Sequence, residues 1–155
     1  MAVDQADRKL FTVEEANQRL PLVRAIVQDI VDLNRDIEDR RGRLNRVRKL
    51  RGNSSPGRLY SDELDQVEAD LRNDERRLAA FIAELQELGV EFKDSTRGLV
   101  DFPAMLDDRV VYLCWQLGEP EVHFWHELDA GFSGRQSLMA ESVSGTDSSD
   151  EQLLA

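Results

Sequence analysis

The chain has 155 residues, 20 basic and 31 acidic side chains, a net charge of −11 and one cysteine. This is the size of one ordinary domain with a core of its own, and its acid surplus disfavours nucleic acid or anionic lipid as partners of the whole molecule. The lone Cys114 excludes an internal disulfide, no run approaches the ~18 apolar residues of a membrane span, and residues 1–10 lack an apolar signal core; a cytoplasmic protein without a membrane partner is expected.

Thr12-Val13-Glu14-Glu15 reads as a capping box that opens a first helix, and Pro21 predicts a kink or break near Leu20 before the helix continues to about Leu50. Leu20, Val23, Val27, Ile30, Asn34, Ile37, Arg41 and Leu44 alternate spacings of three and four, as one seam of a coiled coil does. Gly52-Asn53-Ser54-Ser55-Pro56-Gly57 is a turn, and Ser61 is a candidate N-cap for a second helix. A second seam follows at Leu64, Val67, Leu71, Asp74, Leu78, Phe81, Leu85 and Leu88, with Gly89 placed for a left-handed C-terminal cap. The two seams mirror each other about the turn: Leu20 pairs with Leu88, Val27 with Phe81 and Leu44 with Leu64. That symmetry predicts an antiparallel coiled-coil hairpin over 11–51 and 61–89, with Asn34 facing Asp74 as a polar layer.

From Val90 the period becomes alternating, and residues 90–128 are predicted to form a three- or four-stranded antiparallel meander. Val90–Lys93 and Leu99–Phe102 are strands, the second ended by Pro103; 109–117 and 121–128 form a hairpin around Gly118-Glu119-Pro120. Pairing Leu117 with Val122 puts Val111, Leu113, Trp115, Phe124, His126 and Leu128 on a core face. Tyr112, Cys114, Gln116, His123, Trp125 and Glu127 then occupy a half-polar one. Residues 129–138 read as an ordered loop, which completes an α+β domain over 1–138; the acidic, Ser-rich run 139–155 reads as disordered.

Charge is unevenly spread. Arg40 to Arg58 holds eight basic residues and no acidic one, leaving 12 basic against 31 acidic elsewhere, a balance of −19. Arg43, Arg46, Arg48, Lys49, Arg51 and Arg58 make the hairpin tip a candidate contact for RNA or a ribosome. The competing reading is intramolecular: the acidic start of the second helix, Asp62 to Asp70, neutralises them, and stacking aromatics are absent apart from Tyr60.

The segments Phe11–Asn17, Gly98–Pro103, Tyr112–Trp115, Leu117–Glu121 and Trp125–Phe132, closing with Gly134-Arg135-Gln136, together resemble an uncharacterised bacterial family, domain-of-unknown-function family 2203. The resemblance runs from about Leu10 to Leu138 and implies a fold but no activity; His123 falls outside its pattern.

His126, Glu127 and Asp129 are the densest reactive cluster and a candidate ligand set for zinc or another divalent ion. His126-Glu127 lacks the second histidine of a zinc-protease helix, and the predicted pairing turns the two side chains to opposite faces. The favoured alternative is structural and free of metal: a buried His126 held by a carboxylate, Asp101 first, with Arg135 paired to Asp129. Cys114 and His123 share the half-polar face, a thiol–imidazole pair without an oxyanion hole; a core cysteine is the favoured reading. Tyr112, Trp125, Asp129, Arg135 and Gln136 form a candidate interaction surface for a protein partner or a second copy. The expectation is therefore a non-catalytic interaction or regulatory module without a cofactor. A metal protein and an RNA contact are the alternatives.

Overall fold

The computed structural model describes residues 9–50 and 58–138, with backbone only for 58–60. Residues 1–8, the turn at 52–57, Arg51 and the predicted disordered run 139–155 lie outside the described residues, as does the side chain of Arg58. The chain forms two long helices, α1 (Val13–Leu50) and α2 (Arg58–Glu87), then a five-stranded antiparallel sheet in simple sequence order. The strands are β1 (Glu91–Asp94), β2 (Leu99–Leu106), β3 (Arg109–Gln116), β4 (Phe124–His126) and β5 (Gln136–Ser137). The fold is α+β.

The capping box closes as the sequence predicts. The Thr12 N–H donates to Glu15 Oε1 and the Glu15 N–H to Thr12 Oγ1, both at 3.0 Å. α1 then runs through Pro21 as one helix rather than breaking there. Pro21 itself is exposed, so its ring displaces no packed neighbour and the helix loses only the bond that its missing N–H would have made. At the far end of α2, Gly89 has φ +87°, Val90 N–H donates to Leu85 O and Gly89 N–H to Gln86 O, a Schellman cap. Ser61 is not the N-cap of α2, which already begins at Arg58.

The seam residues Val23, Val27, Ile30, Ile37, Leu44, Leu71 and Leu85 are buried. Ile37, Leu44 and Leu71 form a core of their own with Leu64, far from the sheet. At the polar positions of the seam, Asp74 accepts from Arg40 and Arg77, and the seam residue Arg41 reaches outward to Glu75 at 2.7 Å. Arginine is long enough to leave the seam and carry its charge to water. α1 also buries Ala16, Ile26 and Val31, which the single seam omits, because its first half is covered by the sheet as well as by α2.

β2 does not stop at Pro103. It continues to Leu106, because β1 pairs only as far as Asp101 and beyond it β2 is an edge where a missing N–H costs nothing. Phe11 covers that edge, its N–H donating to Pro103 O at 2.7 Å.

The register between β3 and β4 is one residue from the predicted one: Tyr112 pairs with His126, Leu113 with Trp125 and Cys114 with Phe124. A one-residue slip exchanges the faces of β4. Trp125 therefore joins Val100, Phe102, Leu113 and Trp115 in the core against the helices, while His126 lies on the opposite side of the sheet. Residues 129–138 are more than a loop; they contain a 3-10 turn (Phe132–Gly134) and then β5, which pairs with β4.

Candidate metal centre

The sheet face away from the helices carries Glu91 and Lys93 from β1, Leu99 and Asp101 from β2, Tyr112 and Cys114 from β3, and His126 from β4. Asp101 and Cys114 are register partners, and His126 is one step along on the next strand, so the three converge over β3. All three are buried, with Asp101 3% and His126 2% exposed. Side chains on an outer sheet face become buried only if something covers them. Here Leu128, Gly131 and Phe132 do so, and a cavity of about 170 Å³ remains between them and Lys93, Leu99, Tyr112 and His126.

His126 is held at both ring nitrogens. Nδ1 is 2.8 Å from the Glu127 carbonyl, and Nε2 is 3.1 and 3.2 Å from the two Asp101 oxygens. A carbonyl can only accept, so Nδ1 carries a hydrogen. The Nε2–carboxylate contact then holds a second proton, because a bare lone pair against a carboxylate is repulsive. Burial pushes the Asp101 carboxyl above its ordinary range, and the neighbouring His126 opposes that shift. Burial, reinforced by the charge of Asp101, pushes the Cys114 thiol up to about 12. Cys114 is a thiol bonded to Asp101, not a thiolate nucleophile.

One nitrogen of His126, one carboxylate oxygen of Asp101 and the sulfur of Cys114 all lie within 4.8 Å of one another. A tetrahedral zinc with these donors needs separations of about 3.3–3.6 Å. The nitrogen–oxygen pair, at 3.1 Å, is already near that scale, and the sulfur lies within 4.8 Å of both. The Glu127 carbonyl on Nδ1 is the outer partner that metal-ligating histidines use to fix ring and tautomer.

The predicted trio His126, Glu127 and Asp129 does not assemble. The Glu127 side chain pairs with Arg109 at 2.7 and 3.2 Å on the other side of the strand, and Asp129 is exposed. Nor does Cys114 meet His123, whose ring packs on Phe124 and approaches Glu121. Arg135 bonds Glu119 rather than Asp129, at 2.8 and 2.7 Å, with its guanidinium sandwiched between Phe124 and Phe132. The proposed interaction surface breaks up accordingly. Trp125 is core, the Tyr112 hydroxyl donates to Glu91 at 3.0 Å, Arg135 is locked, and Asp129 and Gln136 remain exposed. At the tip Arg48 pairs with Glu68 at 2.9 Å, whereas Arg43, Arg46 and Lys49 are exposed and make no ion pair among the described residues.

Two residues escaped the sequence reading. Glu119 organises the β3–β4 connection: its carboxylate accepts from Gln116 N–H and Arg135, and its carbonyl from the Trp115 indole. Asn17 of α1 clamps the same loop, its Oδ1 accepting from Val122 N–H at 2.7 Å and its Nδ2 donating to Val122 O at 3.3 Å. Only their presence in the segments that carry the family resemblance hinted at either.

A helical hairpin, a five-stranded meander and a buried Asp–Cys–His cluster under a 3-10 turn define the class of protein. The chain belongs to the family of uncharacterized conserved proteins DUF2203, whose model matches residues 9–138. No curated protein and no solved structure matches it. No helix among the described residues is long and apolar enough to cross a membrane.

Proposed function

We propose that this protein binds one divalent metal ion, zinc by the chemistry of its donors, through Asp101, Cys114 and His126. The observation that carries the reading is the convergence of one sulfur, one imidazole nitrogen and one carboxylate oxygen within 4.8 Å in a buried pocket. A single sulfur with a nitrogen and an oxygen is a borderline donor set that suits zinc better than calcium or magnesium. Asp101 and His126 also line the small cavity, so an ion held by three protein ligands there would have space beside it for a water or a small ligand, as reactive zinc sites do. Binding displaces the thiol proton and the proton between His126 and Asp101, so the ion replaces a hydrogen-bonded cluster that is complete without it.

Elemental analysis of protein purified without an affinity tag, and cobalt(II) titration of chelator-treated protein, test this. One equivalent of metal and a thiolate-to-cobalt charge-transfer band are expected. Both should vanish in Cys114→Ala and Asp101→Asn and survive in Glu127→Ala and Asp129→Ala. A folded wild type that takes up neither zinc nor cobalt overturns the reading and leaves the cluster a hydrogen-bond network.

A further inference from the structure

We infer that the hairpin face opposite the sheet is the contact surface for a second copy of this chain, packed side by side with both tips pointing the same way. Val27 and Val31 face the sheet, where they crowd Gly98. Arg43 and Val47 lie sixteen residues beyond each, about 160° round α1 at 3.6 residues per turn, and so face away from it. Two grooves run along this far side. Near the tip, a groove of about 390 Å³ has an apolar floor of Leu44, Val47, Leu64 and Val67, the last 37% exposed. Its walls are Arg43 on α1 and Glu63 on α2. Nearer the sheet, a second groove of about 360 Å³ has Asp29, Asp32 and Asp36 on its α1 wall and Arg77 with Phe81 on its α2 wall.

The charges choose the occupant. Along α1 the walls read acidic then basic toward the tip; along α2 they read basic then acidic. A two-fold axis parallel to the hairpins sets each α1 on the partner's α2. Arg43 then meets a Glu63, Arg77 meets Asp29 and Asp36, and the apolar tip groove meets its own copy. The other two-fold, with tips opposed, also matches charge but lays the apolar tip groove on the acidic one. Four helices closing around Leu44, Val47, Leu64 and Val67 complete a bundle that α1 and α2 leave open on one side among the described residues.

Sedimentation equilibrium over a range of concentrations tests this on the full chain. The wild type should dimerise, and Arg43→Glu and Glu63→Lys should each raise the dimer dissociation constant tenfold or more, because each sets like charges together at two symmetric contacts. Mixing the two variants should restore the dimer, since both contacts in the mixed pair are again of opposite sign; misfolding cannot produce that recovery. A monomeric wild type overturns the inference, as does a dimer indifferent to both substitutions. A monomer that binds a single-stranded RNA probe, losing affinity in Arg43→Glu and gaining it in Glu63→Lys, would assign the face to nucleic acid instead.

Discussion

His126 and Asp101 stand two strands apart, yet Nε2 of the one is 3.1 Å from Oδ1 of the other, because both side chains lean over β3 from opposite sides. The Glu127 carbonyl fixes the ring from behind, so the pair is held almost fully buried, beside the small cavity. Replacing His126 with Ala leaves the Asp101 carboxyl and the Glu127 carbonyl without that partner and opens a void. In the presence of chelator, His126→Ala is expected to lose roughly 2–4 kcal/mol in urea unfolding. A loss under about 0.5 kcal/mol would mean that the contact does not hold the sheet face together.

Gly98 is the tightest glycine of the core. Its φ is +70°, and a Cβ there would lie 2.8 Å from Leu117 Cβ, 2.9 Å from Val27 Cγ1 and 3.1 Å from Val31 Cγ2. Both the backbone region and the space exclude a side chain, and two of the neighbours belong to a packed helix. Gly98→Ala should destabilise by roughly 2–4 kcal/mol, read as a fall in the thermal midpoint. The midpoint of Gly118→Ala should drop less, since φ there is +105° but nothing lies within 4 Å.

Arg135 and Glu119 are coupled. The ion pair is largely buried, with side-chain exposures of 14% and 22%, and Phe124 and Phe132 stack on the guanidinium. Losing either partner strands the other. Arg135→Ala, Glu119→Ala and the double variant should yield a coupling energy of at least about 1 kcal/mol in a double-mutant cycle. Arg135→Lys should recover only part of the stability, because an ammonium cannot lie flat between two rings. Additive single-variant losses would count against the pair as the clamp of β5.

Asp94 ends β1 by accepting from Arg97 N–H at 3.0 Å and Thr96 N–H at 2.8 Å. Those bonds, the Arg97 one first, hold its carboxyl below the ordinary range. A carboxyl depressed in the folded state stabilises the protein above its unfolded value of about 3.9 and loses that contribution as the pH falls through the folded value. The wild type should therefore be more stable than Asp94→Asn at neutral pH, with the gap closing below about pH 4. Paired urea titrations at a series of pH values check this; a gap that widens in acid contradicts it.

Short-range signals in the chain determined the helices. The Thr12–Glu15 box, the three–four spacing from Leu20 to Leu44 and from Leu64 to Leu88, and Gly89 each act within a turn or two; the structure closes both caps and keeps most of the seams, Arg41 turning outward and Val67 staying 37% exposed. The alternating strands were legible for the same reason, period being a local property, and residue type suggested a carboxylate, Asp101, for a buried His126, although on the other face of β4. Only the tertiary structure decided the face of β4. Phe124, Trp125 and His126 offer a bulky ring to either side, so burial alone does not discriminate between two registers one residue apart. The choice falls to Asn17, brought from α1 to clamp Val122, and to Glu119, tied to Gln116 and Arg135. That slip carries Trp125 into the core and His126 over to Cys114 and Asp101. The donor set exists only after three separate strands are in register, and no spacing along the chain encodes it.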